Sequence, residues 1–153
     1  MAEHRNEHTV EISRPAAQVF PHLVSSDRRM RWMGALKSSE QVTDGAPGLG
    51  TRFRDVFEES GQRFEVDAEI VDWQPHERLA LHLGSSAFDS DVTQELEERN
   101  GATRLRTVIQ TDYKSALARL MSGVVTRAAQ KQLEQDLERL REILEGERGG
   151  AGA

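Results

Sequence analysis

The sequence predicts an α+β domain in which a long C-terminal helix closes a curved antiparallel sheet of about six or seven strands over an apolar pocket. Three observations predict it. Alternation of apolar and polar residues is sustained from about Thr51 to Thr111, the period of half-buried strands. Asn100-Gly101 stands between two alternating runs, a strong hairpin signal. A single long stretch, about Ser115 to Glu145, carries leucines, valines and Met121 at helical spacing.

Taken in order, residues 1–7 read as a polar tail, and His8–Ser13 as a short strand with Val10 and Ile12 on one face. Ser13 before Arg14-Pro15 is a helix start signal, and Val19, Phe20, Leu23 and Val24 recur at helical spacing. Pro21 bends or shortens that helix. Ser26-Asp27 opens a second short helix through Met30, Trp32 and Met33, and Gly34 ends it. Arg28, Arg29 and Arg31 read as its solvated face. Leu36–Thr43 is a strand, followed by the glycine-rich loop 45–50.

The next strands each show one apolar face. Phe53, Asp55 and Phe57 share one, as do Phe64, Val66, Ala68 and Ile70. Leu79, Leu81 and Leu83 form the next, then Phe88, Ser90, Val92, Gln94 and Leu96, then Leu105, Thr107, Ile109 and Thr111. The opposite faces are strongly charged, so the sheet is an antiparallel meander with one solvated side. Its apolar side needs a cover, and the C-terminal helix, about 45 Å long, is the element able to supply it. Leu117, Met121 and Val124 are expected to face the sheet. Six or seven twisted strands coil, and one helix cannot fill the concavity, so a cavity is expected. The domain spans residues 8–146, and 147–153 form a flexible tail.

Composition narrows the function. The chain has 153 residues, the length of one ordinary domain. It has no cysteine, which excludes disulfides, thiolate chemistry and iron–sulfur clusters and agrees with a cytoplasmic location. Its net charge of −6 argues against nucleic acid as a partner. No signal peptide or membrane-spanning run is expected. Five histidines lack metal-binding spacing, so no metal is expected. The glycine-rich loop leads into a strand without the lysine of a phosphate loop. No other cofactor is indicated, and the oligomeric state is left open.

The opening Val10–Phe20, Trp32 after the second short helix, Gly48-Leu49-Gly50-Thr51-Arg52-Phe53, and the turn in Ile70–Leu79 occur in an order that resembles the START-like superfamily. That superfamily includes the Bet v 1 allergens and the bacterial polyketide cyclase/dehydrase and lipid-transport proteins. The resemblance covers about His8 to Glu145. It implies a helix-grip fold around a cavity for lipids, polyketides or similar molecules. It supplies no universal set of catalytic residues.

Among residues that bear chemistry, Asp55 is the most informative, because alternation puts a carboxylate between two phenylalanines. It is a candidate acid/base, unless it pairs with an arginine. Ser90, Gln94, Thr107 and Thr111 also fall inward, where they orient a ligand or bond one another. Trp32 and Met121 are candidates for the cavity mouth and lid. The candidate ligand-binding set is therefore Trp32, Phe53, Asp55, Phe57, Phe64, Val66, Ser90, Gln94, Thr107, Ile109 and Met121. Three readings follow: a carrier for a small hydrophobic molecule, a cyclase or dehydratase using Asp55, and an interaction module without a ligand.

Overall fold

The computed structural model describes residues 3–59 and 61–146. Its elements are β1 (Glu3–Ile12), α1 (Ala16–Val19), α2 (Pro21–Val24), α3 (Ser26–Trp32), β2 (Leu36–Gln41), β3 (Arg52–Glu59), β4 (Gln62–Gln74), β5 (Arg78–Gly84), β6 (Phe88–Arg99), β7 (Ala102–Tyr113), α4 (Ala116–Leu120) and α5 (Ser122–Gly146). The strands form one seven-stranded sheet in the order β1-β7-β6-β5-β4-β3-β2. Every neighbouring pair is antiparallel. The sheet is curved and the long helix lies against it, so the expected helix-grip α+β fold is present.

Local chemistry explains most boundaries. Asn100 and Gly101 both take positive φ, 54° and 78°, as a two-residue hairpin turn requires. Pro21 occupies the first position of α2, where its missing N–H costs nothing, so the first helical region splits into α1 and α2. The Ser25 hydroxyl accepts from Arg28 N at 3.4 Å and caps α3.

Two expectations about organisation change, and a third falls outside the described residues. The first strand begins at Glu3 and not at His8, because the segment read as a polar tail pairs residue by residue with β7, from Glu3 opposite Asp112 to Ile12 opposite Thr103. Inside that segment Asn6 is buried, with its amide donating to Thr126 O at 2.9 Å on α5. The C-terminal helix is interrupted at Met121, so α4 and α5 replace one continuous element. Residues 147–153, expected to be a tail, lie outside the described residues.

The core lies between the inner face of the sheet and the C-terminal part of α5. Leu133, Leu137, Leu140 and Leu144 pack with Val10, Ile12, Leu79, Leu81, Leu96 and Leu105, and α1, α2 and the Phe20 junction between them add Val19, Leu23 and Phe20. At the other end of the sheet Phe57, Phe64 and Phe88 face inward but are only half-buried. One end of the inner face is therefore closely packed, and the other leaves its three phenylalanine rings partly exposed.

Candidate functional site

Along β7 the inward residues run from Leu105 in the closed core through Thr107, Ile109 and Thr111 to Tyr113 at the far end of the strand. Their partners on β6 are Leu96, Gln94, Val92, Ser90 and Phe88. Two phenyl rings, Phe64 and Phe88, meet edge to face with centroids 6.1 Å apart. The result is a strip of inward-facing apolar side chains, termed the trough below, crossed by two rows of polar ones.

The polar rows differ in their bonding. At the outer row, Ser90 Oγ and Thr111 Oγ1 lie 2.8 Å apart and satisfy each other. At the inner row, Gln94 and Thr107 sit opposite in register, 6% and 2% exposed. Gln94 Oε1 and Thr107 Oγ1 are buried and have no hydrogen-bond partner among the described residues. His4 Nε2, beside Thr111 in register and against the Tyr113 ring, is a third such atom. A buried polar group without a partner costs about 1–3 kcal/mol, so two adjacent ones form a local deficit that a bound polar atom would relieve.

Asp55 does point inward and is fully buried. Its partner is Arg29, which sequence reasoning assigned to a solvated helix face and which is only 5% exposed. Arg29 Nη2 donates to Asp55 Oδ2 at 2.7 Å and Nη1 to Oδ1 at 3.5 Å. The guanidinium also lies 5.3 Å from the centroid of Phe53 and donates to Ser39 Oγ at 3.3 Å. Ser39 in turn donates to Ser26 Oγ at 2.9 Å. A lone buried carboxylate demands a cation, and α3 delivers one because Arg29 precedes the buried Trp32 by one helical turn. That spacing was a readable signal: an inward Trp32 implies an inward Arg29.

Among the other candidates, Phe53 and Val66 are buried in the wall, and Phe57, Phe64 and Ile109 are partly exposed along it. Trp32 is buried, and its indole N–H donates to His22 O at 2.9 Å, so it anchors α3 in the core instead of lining a mouth. Met121, Leu117 and Val124 do not face the sheet; all three are exposed. The reason is helical phase. Val124 precedes Leu133 by two and a half turns, at about 100° per residue, which puts it on the opposite side of α5 from the buried leucines. Neither a cluster of side chains able to hold a metal nor a helix long and apolar enough to cross a membrane occurs among the described residues.

Residues 3–145 match the family described as polyketide cyclase / dehydrase and lipid transport. The chain belongs to this family. Solved structures of similar fold include the Zhui aromatase/cyclase from Streptomyces sp. R1128, at 16% identity and a TM-score of 0.81 over 99% of this chain and 100% of that one. TTHA0849 from Thermus thermophilus is 18% identical with a TM-score of 0.77, covering 90% of this chain and 94% of that one. A START superfamily protein from Mycobacterium smegmatis is 18% identical with a TM-score of 0.69, covering 94% and 95%. At these identities the likeness concerns the fold. No curated protein matches the sequence. The family carries both catalysts and carriers in its description, so what this member does rests on the trough itself.

Proposed function

We propose that the chain binds a small, largely apolar molecule along the trough, with a hydroxyl group, alcoholic, phenolic or enolic, seated at Gln94 and Thr107. The observation that carries this reading is the pair of adjacent, buried and unpartnered atoms, Gln94 Oε1 and Thr107 Oγ1. Gln94 Oε1 accepts a hydrogen bond and Thr107 Oγ1 either accepts or donates, so the pair suits a hydroxyl or an enolised ketone better than a plain hydrocarbon. The half-buried Phe57, Phe64 and Phe88 then cover the apolar body, at roughly 25 cal/mol per Å² buried. Membership of a family described by lipid transport and polyketide cyclisation supports the ligand class. The cysteine-free composition suits a cytoplasmic carrier.

A catalytic reading would give Asp55 the role of acid or base. Both of its oxygens are occupied by Arg29, and no described polar atom links it to the unpartnered pair, so binding is the better supported function. The experiment is native mass spectrometry of the purified protein, followed by displacement of an apolar fluorescent dye by long-chain alcohols, phenols and matched alkanes. Alcohols and phenols should displace better than alkanes, and Thr107→Val should erase the difference, about five-fold for one lost hydrogen bond. Failure of every compound to displace the dye, with no copurifying molecule, would sink the reading.

A further inference from the structure

The segment from Lys114 to Lys131 differs from the rest of the chain in two ways at once. It contains four basic residues, Lys114, Arg119, Arg127 and Lys131, and no acidic one, in a protein whose net charge is −6. It also exposes its large apolar side chains: Leu120 is 81% exposed and Leu117 69%, and Met121, Val124 and Val125 are exposed with them. These five recur at intervals of one, three and four residues, so they form one stripe along α4 and the first turn of α5. Arg127 and Lys131 lie on the same outward side of α5 as Val124, since Lys131 follows Val124 by two turns. Neither makes an ion pair among the described residues.

We infer that this face docks on the surface of an anionic lipid bilayer. An exposed stripe of leucine, methionine and valine bordered by lysine and arginine is what an interfacial helix needs: the apolar side chains enter the acyl boundary while the cations meet lipid phosphates. Charge decides against the other occupants. A second copy docked through the same face would set Arg119, Arg127 and Lys131 against three more, Lys114 being paired with Asp89 at 3.2 Å. Nucleic acid would satisfy the cations and leave the apolar stripe in water. The face also adjoins the Tyr113 end of β7, because Arg119 Nε donates to Tyr113 O at 2.9 Å.

The test is cosedimentation with vesicles of phosphatidylcholine alone and of phosphatidylcholine doped with phosphatidylglycerol. The protein should pellet with the doped vesicles and not with the neutral ones, and the binding should weaken steeply as salt is raised. Lys131→Gln or Arg127→Gln should each weaken it about five-fold, and L120E combined with V124E should abolish it. These side chains are exposed, so the melting temperature should stay at the wild-type value and report that the variants fold. Absence of binding to the doped vesicles would overturn the inference. So would a dimer by light scattering that Leu120→Glu dissolves, or binding to duplex DNA in place of vesicles. No trough ligand is needed, so the outcome is separable from that of the dye displacement.

Discussion

Two buried polar clusters sit on the same concave face and are bonded in opposite ways. Arg29 and Asp55 satisfy each other under α3, and Ser39 and Ser26 complete the network. Gln94 and Thr107, near the middle of β6 and β7, keep one atom each without a partner. The first cluster is a finished structural device. The second is an unfinished one, and in a folded interior an unfinished hydrogen-bonding site points to something that completes it. The difference teaches where on this sheet to look for a ligand: burial and polarity are common to both clusters, and only satisfaction separates them.

The comparison breaks most violently at Asp55. Asp55→Ala leaves Arg29 buried without its counter-charge and should cost about 3–5 kcal/mol in chemical denaturation, whereas Arg29→Met with Asp55→Leu should recover most of that loss. A near-neutral Asp55→Ala would mean that the pair holds nothing together. The second cluster should behave in reverse. Thr107→Val and Gln94→Leu remove polar atoms that already lack partners, so each should leave unfolding free energy unchanged or raise it by about 1 kcal/mol while weakening ligand binding. A loss of stability at either position would show that the native fold already satisfies it.

The smallest effect concerns charge at the edge of the helix. Burial raises the Asp136 carboxyl above its ordinary range, against hydrogen bonds from Gly34 N and Gln132. A carboxyl raised in the folded state favours folding while protonated, and that contribution is lost as pH rises through its folded value. Asp136→Asn should therefore raise the melting temperature at neutral pH, by at most about 2–4 °C, and the gain should shrink as the pH approaches the ordinary carboxylate range. A gain that persists unchanged at acid pH would assign it to something other than charge.

Sequence periodicity reached the strands because one side of the sheet is solvated, so alternation was written into every run from Phe53 to Thr111. It placed Asp55, Ser90, Gln94 and Thr107 inward for the same reason. It failed where a second element decides. Residues 3–7 look polar in isolation, yet they form a strand because β7 offers an edge to pair with. Arg29 looks like one of three surface arginines until Asp55 calls for a cation. In the C-terminal helix, two apolar stripes of opposite phase read as one when only apolar content is followed; the half-turn between Val124 and Leu133 separates them. Which polar residues satisfy each other was beyond reach, because Ser90–Thr111 and Gln94–Thr107 are the same kind of cross-strand pair and only side-chain geometry distinguishes them.

The sheet order has a consequence for how the chain is made. The β6–β7 hairpin is local and closes on a two-residue turn, but β1, first of the seven strands in chain order, pairs among the described residues with β7, the last. It must wait until nearly all of the sheet has been synthesised, and meanwhile its unpaired edge is open to strands of other nascent chains. Closing that distant contact also makes the topology slow among small domains. Glu3–Ile12 carries charge at Arg5, Glu7 and Glu11, a placement that discourages pairing of such an edge with other chains.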